Sequence, residues 1–104
     1  MKTTEPVLLQ FKAELVAMYG QRLARVVLFG SRARGDARED SDYDIAVFLK
    51  SLSDRWAELD RLALLRVAFI DDTGAFFDVL PYSDTAYQER SPLMHEIRGE
   101  GVEL

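Results

Sequence analysis

The sequence predicts a mixed α/β domain of the α+β kind: one small β-sheet with helices packed on it. Three observations predict it. Short β-branched apolar runs alternate with longer stretches of helical periodicity, Gly or Pro stands at several junctions, and the order reads helix, strand, strand, helix, strand, helix. The 104 residues are 48 % apolar, so one domain over 1–104 with a real core is expected.

From Glu5 to Tyr19, apolar Val7, Leu8, Phe11, Leu15 and Met18 recur at helical spacing, with Thr4 as the cap and Gly20 as the stop. Ala24 to Phe29 (ARVVLF) is a compact strand ending at Gly30. Ser31–Gly35 fits one helical turn, and Asp36–Ser41 is a charged loop. Tyr43 to Leu49 (YDIAVFL) is the second strand.

A long helix is expected from Ser53 to Ile70, with Trp56, Leu59, Ala63, Val67 and Ile70 down one face. Leu62, Leu64, Leu65 and Phe69 widen that face until the second half is apolar nearly all round. One small sheet covers only part of such a helix, so some of these four are expected to meet another chain. Trp56 and Phe76-Phe77 read as core. Thr73-Gly74 ends the helix, and Ala75 to Leu80 (AFFDVL) is the third strand, closed by Pro81. Ser91-Pro92 opens a short helix to Arg98, a capping serine before proline at the first helical position, and Gly99 to Leu104 reads as a tail.

Composition narrows the function. There is no cysteine, which excludes a disulfide framework and a thiolate zinc site and fits a cytoplasmic location. Lys12 and Glu14 interrupt the apolar N-terminal stretch, so neither a signal peptide nor a membrane span is expected. A net charge of −5 argues against direct nucleic-acid binding. Against that background Arg32, Arg34 and Arg38 make a local cationic spot suited to a small anionic ligand.

The chemistry concentrates between Leu28 and Asp44. A strand running into Gly30-Ser31 and then a helical turn exposes backbone N–H groups. Glycine permits close approach to a ligand, and the serine hydroxyl adds a donor; a strand–Gly–Ser–turn is an anion cradle or a plain helix cap. After ten intervening residues stands Asp42-x-Asp44, at the entrance to a strand. Side chains two apart in a strand point the same way, so both carboxylates converge while Tyr43, Ile45 and Val47 turn to the other face. Paired carboxylates raise each other's pKa unless a cation lies between them, and such hard oxygens suit Mg²⁺. Asp78, inside an apolar strand, is expected to have a cation or donor beside it.

Gly30-Ser31, Asp42-x-Asp44 and a later strand aspartate resemble the signature of nucleotidyltransferases with a DNA polymerase β-like palm. Gly30-Ser31-Arg32-Ala33-Arg34-Gly35, Ser41-Asp42-Tyr43-Asp44-Ile45 and Ile97-Arg98-x-Glu100-Gly101-Val102 look like the minimal nucleotidyltransferases (MNT) encoded beside HEPN-domain proteins in toxin–antitoxin pairs. The resemblance implies that Gly30 and Ser31 hold the triphosphate of ATP, with Arg32 and Arg34 near the leaving phosphates. It implies two Mg²⁺ ions held by Asp42, Asp44 and Asp78, which are also the catalytic residues. It implies transfer of AMP to a tyrosine hydroxyl of a HEPN toxin, in a hetero-oligomer with that partner. Transfer to a small hydroxylated molecule such as an aminoglycoside, or silencing of the partner by contact alone, are the alternatives. His95 reads as a surface or structural residue, and Asp36, Glu39 and Asp40 as a hydrated loop.

Overall fold

The computed structural model describes residues 5–104. Helix α1 (Pro6–Tyr19) is followed by a 3₁₀ turn and by strand β1 (Leu23–Phe29). A single helical turn, α2 (Ser31–Arg34), leads through a loop to β2 (Tyr43–Leu49), then α3 (Arg55–Thr73) and β3 (Phe77–Ser83). A second 3₁₀ turn over Asp84–Gln88 precedes α4 (Pro92–Glu100) and a final short strand, β4 (Val102–Glu103). The strands form one mixed sheet in the order β3–β2–β1–β4. β1 is antiparallel to β2 and to β4, while β2 and β3 run parallel across the α3 crossover. No helix among the described residues is long and apolar enough to cross a membrane.

Alternation along β2 decides which face does what. Tyr43, Ile45, Val47 and Leu49 pack with Leu8, Phe11 and Leu15 of α1 and with Leu62, Leu65 and Phe69 of α3. Phe77 stacks on Phe11 at 4.0 Å and meets Phe69 edge-on at 5.5 Å, which pins the start of β3. On the other face Ala46 and Phe48 pack with Val27, Ala86, Met94 and Ile97, so α4 covers that side. Asp44 and Asp78 share the face of Ala46 and Phe48.

Caps agree with the sequence where chemistry demands them. Ser91 Oγ accepts from Met94 N, and Asp54 accepts from Ala57 N to start α3 two residues later than expected. Thr4, the expected cap of α1, lies outside the described residues.

Several expectations are corrected. α3 buries Glu58, Leu62, Leu65 and Phe69, and turns the stripe of Trp56, Ala63 and Val67 to solvent. A helix apolar on two sides does not reveal from its period which side meets the sheet. Glu58 tolerates burial because Arg22 (2.8 Å) and Arg61 (3.3 Å) pair with it. Trp56 is therefore not core, and of Phe76-Phe77 only Phe77 is buried. The third strand starts at Phe77 and runs through Pro81 to Ser83. β3 is an edge strand, where proline's missing N–H faces away from the neighbour, so Pro81 does not close it. The expected tail contributes β4: Val102 and Glu103 pair with Leu28 and Val27, and Leu104 is buried. Met18 is exposed, and Tyr19 takes its place in the core.

Candidate functional site

The site lies where β1 ends and β2 and β3 begin. Asp44 stands opposite Phe29 in the antiparallel pair and opposite Asp78 in the parallel pair. Residues opposite one another project to the same face, so Asp44 and Asp78 are side by side. Asp42 precedes β2 by one residue and is exposed, as is Asp78; Asp44 is half-buried. Asp78 was expected within a core strand. It is instead the exposed second residue of an edge strand, so burial does not penalise it.

Gly30 joins β1 to α2 with φ of 75° and ψ of −157°, a backbone state that glycine accepts readily. A Cβ there would lie 2.3 Å from Asp44 Oδ2. The carboxylate therefore rests against bare backbone, and the Gly-Ser turn and the acids form one surface. The carbonyl of Gly30 accepts from the N–H groups of Ala33 and Arg34, both at 3.1 Å, and the N–H groups of Ser31 and Arg32, first in the turn, have no carbonyl within the turn to bond.

Burial raises the pKa of Asp44, and the charges of Asp78, Asp42 and Glu96 raise it further, while Arg34 opposes them. Glu96 on α4 thus belongs to the electrostatics of the site. Sequence reasoning missed it; its only signal was Glu96 and Glu100 one helical turn apart on a helix that packs against the sheet.

The two arginines differ. Arg32 donates to the carbonyls of Ser41 (2.9 Å), Glu39 (3.0 Å) and Arg38 (3.3 Å), and its guanidinium lies over the Tyr43 ring at 4.1 Å. It holds the loop before Asp42 in shape. Tyr43 is anchored on its other side by a 2.6 Å bond from its hydroxyl to Glu5 Oε1, and its pKa is pushed up to about 12 by burial and by that bond. Arg34 sits among Asp36 (3.4 Å), Glu100 (3.7 Å) and Glu96 (3.9 Å), exposed and facing the acids of the site. Neighbouring Asp36 raises its pKa. His95 is exposed on α4.

Would a divalent cation suit these residues? Among the described residues no three His, Cys, Asp or Glu side chains are already drawn together as a closed metal-binding cluster. The donor set nonetheless fits a hard cation. Asp44 is a carboxylate pressed by three like charges and half-removed from water, and Mg²⁺ takes only one or two protein carboxylates before completing its shell with water and phosphate.

A sheet that sets two carboxylates beside a Gly-Ser turn is the frame of a nucleotidyl-transfer palm. Residues 8–91 match the family model of the nucleotidyltransferase domain, a stretch that includes the turn and all three aspartates, and the chain belongs to that family. Among solved structures it resembles a protein provisionally described as a minimal nucleotidyltransferase, at 31 % identity and TM-score 0.61, covering all of this chain and 97 % of that one. A toxin–antitoxin structure with AMP-PNP is similar at TM-score 0.63 over 90 % of this chain and 69 % of that one, and at 20 % identity this likeness speaks for the fold. A Methanocaldococcus jannaschii protein provisionally named protein adenylyltransferase MJ0141 is 39 % identical over 46 residues, 44 % of this chain and 46 % of that protein. The chain spans less than half the length of the curated relatives it matches.

Proposed function

We propose that this chain is a Mg²⁺-dependent nucleotidyltransferase that moves AMP from ATP to a tyrosine hydroxyl of a cognate HEPN-domain toxin, and so acts as its antitoxin. One observation carries the enzymatic part: Asp44 and Asp78 are register partners on one face, with Asp44 Oδ2 against Gly30. Kinship to a minimal nucleotidyltransferase, and likeness to a toxin–antitoxin pair with AMP-PNP, support the choice of nucleotide and partner.

In this mechanism the N–H groups at Gly30-Ser31 and the Ser31 hydroxyl hold the triphosphate, as helix starts hold anions. Asp42, Asp44 and Asp78 would hold two Mg²⁺ ions, whose chemistry is to neutralise phosphate charge and acidify the attacking hydroxyl. The tyrosine oxygen forms the new bond to the α-phosphorus, the bond to the β-phosphate oxygen breaks, and pyrophosphate leaves. Asp78, exposed at the edge strand, accepts or orients the tyrosine proton. Arg34 balances charge on the departing phosphates. Arg32 acts through its loop, keeping Asp42 in place, and reaches phosphate only by giving up those carbonyls.

Incubation with ATP labelled at the α-phosphate, Mg²⁺ and the HEPN protein encoded beside this chain tests the proposal. Label on a tyrosine of that protein, lost with Asp44→Asn, is the expected result. Relief of toxicity by Asp44→Asn at normal expression would mean that contact alone silences the partner.

A further inference from the structure

The outward face of α3 is apolar where a helix of a free-standing domain is usually polar. Trp56 is 79 % exposed, Leu64 75 % and Val67 56 %. At 3.6 residues per turn, Trp56, Asp60, Ala63, Val67 and Asp71 fall on one stripe diametrically opposite the buried Glu58, Leu62, Leu65 and Phe69. The stripe runs roughly 22 Å at 1.5 Å per residue. Exposed apolar patches of this kind mark protein contacts, and tryptophan is enriched at their centres.

The charges choose the occupant. The three arginines of α3 are engaged by their own fold: Arg55 donates to the Pro81 carbonyl, Arg66 to the Phe77 carbonyl at 2.6 Å, and Arg61 pairs with Glu58. The stripe keeps only acids, Asp60 and Asp71, and neither has an ion-pair partner among the described residues. A second copy of the chain laid antiparallel along α3, Leu64 against Val67, would set Asp60 against the other copy's Asp71. Like charges in contact disfavour that pairing.

We propose that this face docks an amphipathic helix of the acceptor protein, with an apolar stripe set between basic residues about three turns apart, the spacing of Asp60 and Asp71. The inference rests on the proposed transfer only for the partner's identity. α3 covers the sheet face opposite Asp44 and Asp78, so docking and chemistry use separate surfaces and separate mutations. Helix-in-groove recognition uses anchors at this i, i+3/i+4, i+7 spacing.

Trp56 is the single tryptophan of the chain. Labelled with 5-fluorotryptophan, it gives one fluorine NMR signal that reports the face directly. Titration with the unlabelled HEPN protein is expected to move that signal at saturation. Leu64→Lys/Val67→Lys, both on exposed positions, should weaken binding by at least about tenfold while leaving the thermal shift by ATP and Mg²⁺ unchanged. Asp60→Asn/Asp71→Asn should weaken it several-fold, as expected for rim charges, and flatten its dependence on salt. Asp44→Asn should dock as wild type does, which separates failure of docking from failure of transfer. Transfer to the HEPN protein with the Trp56 signal unmoved, wild-type binding by Leu64→Lys/Val67→Lys, or a signal that moves with this chain's own concentration would each overturn the proposal.

Discussion

Asp44 Oδ2 occupies the space where a side chain on Gly30 would begin, 2.3 Å from the position of a Cβ. The absence of a side chain at residue 30 is therefore part of how the carboxylate meets the phosphate turn. Gly30→Ala would force the carboxylate aside and strain a backbone at φ of 75°. Such strain costs about 1–3 kcal/mol. The expected outcome is a folded protein by circular dichroism, modestly less stable to urea, with transfer reduced to background.

Asp44 is held in a place that disfavours its charge. Its folded-state pKa is raised by burial and then by Asp78 and Asp42, so the folded state binds this proton more tightly than the unfolded state does. That contribution to stability is fully present below the unfolded carboxylate pKa and is lost as pH rises through the folded one. In chelator, Asp44→Asn should match wild type in acid and become the more stable protein as pH rises through the carboxylate range. Melting temperatures recorded against pH in EDTA check this. Added Mg²⁺ with nucleotide should then raise the wild-type melting temperature and leave that of the variant unchanged.

Arg32 spans the loop before Asp42 with bonds to three carbonyls. Arg32→Ala should cost about 1.5–3 kcal/mol, the range for a hydrogen bond that involves a charged group. Lysine lacks the planar fork and should not restore the wild-type level. Amide hydrogen exchange at Glu39–Ser41 should speed up in both variants, and transfer should fall with it because Asp42 loses its support.

At the far edge of the sheet, Gly101 lets the chain pass between α4 and β1. A Cβ there would lie 2.3 Å from the Ile97 carbonyl oxygen and 2.5 Å from Val27 Cγ1. Gly101→Ala should detach β4 and expose Leu104, lowering stability while ATP binding persists. Loss of exchange protection at the Leu104 amide, which now donates to the Val26 carbonyl at 2.9 Å, is the local signature.

The first two strands and the capped helix from Ser91 were legible because each carries its own local signal: compact apolar runs with β-branched residues, the first ended by Gly30, and serine before proline. The candidate site was legible because Gly30-Ser31 and Asp42-x-Asp44 are close in sequence and need only one hairpin-like return to meet. What failed depended on neighbours. Which stripe of α3 faces the sheet is set by Phe11, Phe77 and Arg22, the partner of buried Glu58, none of which lies in α3. Pro81 was misjudged because its tolerance depends on β3 lying at an edge, a property of strand order. Glu96 reaches the site only because α4 packs across the sheet.

The proposed chemistry requires the side chains of Asp42, Asp44 and Asp78 to bind divalent cation jointly beside a nucleotide held at Gly30-Ser31. Manganese binding followed by electron paramagnetic resonance, with a non-hydrolysable ATP analogue present, measures it without any acceptor. Wild type should bind Mn²⁺ only in the presence of nucleotide or far more tightly with it, and Asp44→Asn/Asp78→Asn should lose that gain. Equal binding by wild type and the double variant would contradict it.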